Sequence, residues 1–200
     1  MGPGLTTWNR RLWSTYNGNY AITPCGYTNE FGNFSGIKQI LIPKTQIEES
    51  VTVDKKILYA NRWRGFENPF GDILTNLEGI VIKRDVAKAN SNVYTTTDVS
   101  KYGEDYSLFD IAGVEIAQNR WIKTFDLGSK AEIIPSSIAG SESTYKCDYH
   151  WCNADSVKKR TLGVGGCVED GGMAGLCHFD SHIEVGDANA NFGFRSLVRV

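Results

Sequence analysis

The chain has 200 residues, 41% of them apolar and 12% aromatic, which is enough for one sizeable core and excludes a disordered chain. Its 21 basic and 23 acidic side chains leave a formal charge of −2 with both signs interspersed, so no field attracts a polyanion and nucleic acid is excluded as a partner. No window approaches about 18 apolar residues, and Met1-Gly2-Pro3-Gly4 opens no basic-then-apolar signal, so the sequence predicts no membrane insertion.

Taken in chain order, Thr6 to Phe34 reads as loop, because Asn17-Gly18-Asn19 and Thr23-Pro24-Cys25-Gly26 are turn signals and its aromatics lack periodicity. Ile37 to Pro43 is apolar, β-branched and ended by proline, so it predicts the first strand; Val51 to Tyr59 predicts a second. Trp63 to Ile73 carries two glycines and a proline in a compact turn, followed by strand composition at Gly79 to Lys83. Tyr94 to Thr97 predicts a short strand. Leu108, Ile111, Ile116 and Ala117 give Tyr106 to Asn119 a helical spacing interrupted by Gly113. Further strands are expected at Ala131 to Ile134, Thr144 to Trp151 and Thr161 to Val164. A final strand opens at Phe192, where Phe, Phe, Leu and Val recur around Gly193.

Five cysteines (Cys25, Cys147, Cys152, Cys167 and Cys177) are an odd number in a chain large enough to fold without staples, so most are expected as free thiols. Cys147, His150 and Cys152, and separately Cys177, His178 and His182, are close in sequence, but their spacing lacks the tight pairs of structural zinc. No metal or cofactor is expected. Gly163-Val164-Gly165-Gly166 lacks the Lys-Ser/Thr of a phosphate loop and predicts a close backbone approach at a strand end. A cysteine–histidine nucleophile pair has no activation context, Glu104-Asp105 and Glu169-Asp170 read as solvated turns, and the acidic loop Asp180 to Asn191 lacks calcium-loop spacing. No catalytic residue is assigned. What remains is a concentration of polar and aromatic side chains in Tyr145 to Asp155 and Glu169 to Asp187, each beside a predicted strand. Rigid strand with varied loop is a recognition design.

Four segments in order carry a resemblance: Trp8 to Gly18 with Pro24-Cys25-Gly26; Arg62-Trp63-Arg64-Gly65-Phe66-Glu67-Asn68-Pro69-Phe70-Gly71; Cys147-Asp148-Tyr149; and Gly165-Gly166 with Gly193-Phe194-Arg195. Together they resemble the C-type-lectin-like domains on virion proteins of tailed bacteriophages and prophages. The glycine pair and Asn191-x-Gly193-Phe194-Arg195 are also similar to formylglycine-generating-enzyme-like domains. The resemblance implies a single α+β domain over residues 1–200, a C-type-lectin-like fold with small antiparallel sheets, extensive irregular loops and one or two helices. Within it, residues 1–36 would be a loop-rich lead-in and 144–191 the binding-loop region. It further implies a non-enzymatic virion protein, assembled in the host cytoplasm as a homo-oligomer. Such a protein would contact a bacterial surface protein or glycan and other virion proteins. The contacts expected on that reading are Tyr149, His150, Trp151, Glu169, Asp170, Met173, His178, Asp180, His182 and Glu184, while Arg64, Glu67, Asn68, Gly71 and Arg195 fall to the scaffold. Calcium-dependent sugar binding is not carried over, because the Glu-Pro-Asn and Gln-Pro-Asp triplets are absent. Two rivals stay open: a structural capsid or tail decoration without receptor binding, and a cysteine oxidase or metalloprotein using Cys167 and Cys177.

Overall fold

A computed structural model describes residues 26–43, 55–83, 90–102, 105–152, 158–187 and 192–193. Among them strands dominate, and the helical elements are short 3-10 turns at Asn29–Phe31, Val99–Lys101, Tyr106–Leu108 and Val168–Met173. The expected α+β arrangement of small sheets with one or two helices is therefore corrected to a mostly β architecture built on one large sheet. No helix among the described residues is long and apolar enough to cross a membrane.

The strands are β1 (Gly36–Pro43), β2 (Lys55–Trp63), β3 (Phe66–Glu67), β4 (Leu74–Lys83), β5 (Ser91–Thr95), β6 (Asp110–Ile116), β7 (Arg120–Leu127), β8 (Ile133–Ile138), β9 (Tyr149–Cys152), β10 (Lys159–Val164), β11 (Phe179–Ser181) and β12 (Phe192–Gly193). Strands β1 to β3 form a small antiparallel sheet. The others make a sheet of order β6-β5-β4-β10-β11-β9-β7-β8, with β12 pairing parallel to β4. Most neighbours are antiparallel, but β9 and β11 run parallel, aligning His150 with Phe179 and Cys152 with Ser181.

The large sheet curls until its two edges meet. Ala117 N–H donates to the Pro135 carbonyl at 2.8 Å, and Ser129 N–H donates to that of Ala112 at 2.8 Å, joining the β6 side to the β8 side. Such closure removes open edges and leaves an interior that side chains can fill. The filling comes from one face of nearly every strand: Ile82, Val93, Ala112, Ile116, Ile122, Ile134, Leu162 and Phe179 form one buried cluster. Period-two alternation places them. In β5, Ser91, Val93 and Thr95 point inward while Asn92 and Tyr94 do not.

Two bulges explain where sequence periodicity fails. Between Ser91↔Ile116 and Thr95↔Asp110 the β5–β6 register slips around Gly113, whose φ is +75°. Those extra residues mimic helical spacing, and the helix expected over Tyr106 to Asn119 is instead a 3-10 turn followed by β6. A second slip lies in β4, where Leu77 pairs with Leu162 but Ile82 pairs with Arg160, so several β4 residues oppose Thr161 alone.

The small sheet is tied to the large one by the motif at residues 62–71. The Glu67 carboxylate accepts the backbone N–H groups of Gly26 and Thr28 and the Thr28 hydroxyl. Arg62 Nε donates to the Gly32 carbonyl at 2.6 Å, and Asn61 Nδ2 to that of Phe70 at 2.9 Å. Gly71 N–H then reaches the carbonyls of Gly165 and Gly166 at 3.0 and 3.2 Å. At that contact a Cβ on Gly165 would stand 2.7 Å from the Pro69 carbonyl oxygen, so glycine is needed for close approach and for its φ of +90°. Glu67, Asn68 and Gly71 thus act within the scaffold, and Arg64 lays its guanidinium 4.9 Å from the Trp63 ring. Arg195, the lead-in before Gly26 and the closing strand beyond Gly193 lie outside the described residues.

Candidate functional site

Strand β9 divides the expected contacts into two sets, because its side chains alternate. Tyr149 and Trp151 are half-buried on one face; His150 and Cys152 are buried on the other. Opposite Tyr149 stands Trp121 of β7. The Trp121 and Tyr149 rings meet edge to face with centroids 5.3 Å apart, and the Tyr149 and Trp151 rings tilt together at 4.8 Å. These three rings form a continuous aromatic face. Beside it, Lys123 Nζ lies 5.4 Å from the exposed Tyr145 ring, which adds a cation to the edge. Trp121 was not among the residues expected; its β7 strand carries charged and polar residues at Arg120, Lys123, Thr124 and Asp126 that mask its apolar face.

Three expected contacts are internal in this structure and are corrected as surface residues: His150 and His178 are 0% exposed and Asp180 is 4% exposed. The His150 ring lies 3.2 Å through Nδ1 from the Gln118 carbonyl and 2.8 Å through Nε2 from the Ser181 hydroxyl. A carbonyl only accepts, so in the neutral ring Nδ1 carries the proton and Nε2 accepts from Ser181. Although this is a serine–histidine pair, Ser181 is 1% exposed, and no substrate carbonyl can approach its oxygen in this arrangement.

His178 Nδ1 donates to the Met173 carbonyl at 2.9 Å, and the His178 carbonyl accepts Gly165 N–H at 3.1 Å. Its Nε2 is buried 3.7 Å from an Asp170 carboxylate oxygen, which itself accepts Cys167 N–H at 2.6 Å. Asp170, Met173 and His178 thereby fasten the Val168–Met173 turn onto the Gly165-Gly166 corner. Of Glu169 only its place in that turn is described. The neighbouring Asp148 accepts Cys177 N–H at 2.6 Å; burial pushes its carboxyl up against the opposing pull of that hydrogen bond and of His178. Burial and the Asp148 charge push the Cys177 thiol up as well, the reverse of what an activated nucleophile needs. Cys147 and Cys177 are free thiols, and no group of three or more His, Cys, Asp or Glu among the described residues is arranged to hold a metal ion.

The last group sits just after β11. Asp180 accepts from both His182 N–H at 2.8 Å and His182 Nδ1 at 2.6 Å, leaving about half of the His182 side chain in solvent. The hydrogen bond that its ring donates to Asp180 raises the His182 pKa above its ordinary 6.5 despite the cost of burial. Glu184 pairs with Lys158 Nζ at 2.5 Å and stands 3.5 Å from Arg160 Nη1. The surface offered by the expected residues is therefore the aromatic face of Tyr149 and Trp151, together with the polar corner of His182 and Glu184.

Comparison with family models, curated proteins and solved structures finds no match to this chain.

Proposed function

We propose that the chain is a non-enzymatic surface module of a tailed-phage virion, whose aromatic face binds a protein or glycan on the bacterial surface. The observation that carries this reading is the run Trp121, Tyr149 and Trp151 on adjacent strands of a closed sheet. Aromatic side chains supply large contact area at low entropic cost, and a sheet holds them in place before the partner arrives. The virion assignment rests on the short motifs of the sequence alone, among which Glu67, Asn68, Gly71 and Gly165 serve as structural ties.

The test is adsorption by particles carrying Trp121→Ala, Tyr149→Ala and Trp151→Ala together. Normal particle yield with adsorption lost supports the reading. Normal adsorption overturns it, as does absence of the chain from purified particles.

A second reading, decoration or assembly without receptor binding, is favoured by a different surface. Phe34, Ile37, Tyr59 and Phe66 are 81%, 69%, 64% and 60% exposed on and beside the small sheet, which suits contact with a neighbouring virion protein. Substituting those residues would then lower particle yield while leaving adsorption per particle unchanged.

A further inference from the structure

Strands β1 and β2 pair one to one along the small sheet, with Ile37 opposite Asn61 and Gln39 opposite Tyr59, and Trp63 then pairs with Phe66 of β3. Period-two alternation therefore places Ile37, Gln39, Tyr59, Asn61, Trp63 and Phe66 on one face. Lys38, Ile40, Ala60, Arg62 and Glu67 take the other.

The second face is closed. Ile40 and Ala60 are buried, Lys38 Nζ pairs with Glu30 at 2.7 Å, and Arg62 and Glu67 hold the turn over residues 26–32. The first face is open: Ile37, Tyr59 and Phe66 are more than half exposed, Trp63 is 38% exposed, and Phe34 just before β1 is almost bare. Only Asn61 is tied inward there, its amide donating to the Phe70 carbonyl at 2.9 Å. With aromatic side chains of about 150–250 Å² each, the exposed fractions of these five apolar residues leave roughly 600 Å² in water. That is the upper end of the largest patch on a typical monomer, about 300–600 Å².

Charge decides the occupant. Over residues 36–40 and 59–67 the open face carries no ionised side chain, and Arg64, in the turn after β2, lays its guanidinium against the Trp63 ring. A partner selected by opposite charge finds nothing here to hold. A second copy related by a two-fold axis sets neutral apolar side chains against their own kind, with no like-charge cost. Two copies packed face to face, as sheets do in a sandwich, would bury roughly 1,200 Å² together, which reaches the lower bound of a specific interface.

We propose that two copies of this chain dimerise face to face through the small sheet, burying Phe34, Ile37, Tyr59, Trp63 and Phe66 of each against the other. The contact uses none of the aromatic residues of β7 and β9, and it rests on neither reading of function.

The test is sedimentation velocity of the full chain over about 1–300 μM, the range that suits an interface of this size. A reversible monomer–dimer equilibrium is expected. Tyr59→Lys and Phe66→Lys should each weaken the dimer about tenfold or more, since each places a cation in the centre of an apolar contact. Both side chains are exposed in the monomer, so the thermal midpoint at low concentration should not move. Mixing Tyr59→Lys with Tyr59→Glu chains should recover the dimer that neither forms alone, because a two-fold contact brings the two patches together. A chain that stays monomeric throughout, a dimer that neither lysine weakens, or a mixture that stays monomeric would overturn the proposal. A monomeric chain whose Phe66→Lys form lowers particle yield would assign this face to a different virion protein, which overturns it as well.

Discussion

Glu67 receives Thr28 twice, from its backbone N–H at 2.8 Å and from its hydroxyl at 2.7 Å, across 39 residues of sequence. Thr28 is itself 0% exposed, so this pair fixes the described start of the chain to the hairpin of β2 and β3. Burial raises the Glu67 carboxyl pKa. The hydrogen bonds from Gly26 and Thr28 and the charge of Arg62 outweigh it and hold the group below its ordinary 4.5. Stability from a depressed carboxylate is present above the unfolded pKa and lost as pH falls through the folded one. Glu67→Gln should cost about 1 kcal/mol near neutrality, after discounting for solvent screening at this half-exposed group. Urea unfolding should show the gap closing as pH drops below the usual carboxylate range, and a gap independent of pH would refute the assignment.

The His182–Asp180 pair runs the other way. A histidine with a raised folded pKa stabilises the fold fully below its unfolded value and loses that contribution as pH rises through the folded one. In an NMR titration, the His182 midpoint should lie above 6.5 and fall toward it in Asp180→Asn. The stability difference between the native chain and His182→Gln should be larger on the acidic side of this transition than on the alkaline side.

Two glycines with positive φ should respond unequally to alanine. At Gly165 the added Cβ meets the Pro69 carbonyl oxygen at 2.7 Å, whereas at Gly171 nothing lies within 4 Å. Both hold a positive φ that costs an L side chain about 1–3 kcal/mol, but only Gly165→Ala must also push two backbones apart. Thermal unfolding should show Gly165→Ala losing about 2 kcal/mol or more and Gly171→Ala about half of that. Equal losses would mean that the corner between residues 69–71 and 165–166 yields freely.

Truncation of Ile122, 0% exposed at the centre of the core, should cost about 2–5 kcal/mol. Leu127 ends the same strand at 67% exposure, and Leu127→Ala should stay within about 0.5 kcal/mol of the native chain. Chemical denaturation of the two variants compares them directly.

The β-branched runs at Ile37 to Pro43, Gly79 to Lys83 and Thr161 to Val164 announced β1, β4 and β10, because apolar character and turn residues there agree. Strand β11 was not legible. Phe179, Asp180 and Ser181 are all buried, and two of the three are polar residues satisfied by His182 and His150, partners that composition does not reveal. Strand β6 was misread as helical because Gly113 shifts its register: Leu108 and Ile111, read as part of an apolar stripe, are 53% and 56% exposed, while Ala112 and Ile116 are inside. At the candidate site the residue types were legible but their direction was not. Tyr149 and Trp151 reach the surface only because β9 is a strand, and the same alternation takes His150 away from it.

The position of β4 sets an order of events for the folding chain. Its second half pairs with the nearby β5, a local hairpin that can form early. Its first half waits for β10 and β12, which emerge from the ribosome long after it. Until Lys159–Val164 arrives, Thr75 to Leu77 present an unpaired edge beside Leu74, and loop closure over that distance is slow. Chains halted before β10 should be the ones that associate with each other, and a chaperone acting on this protein would have most to protect in that interval.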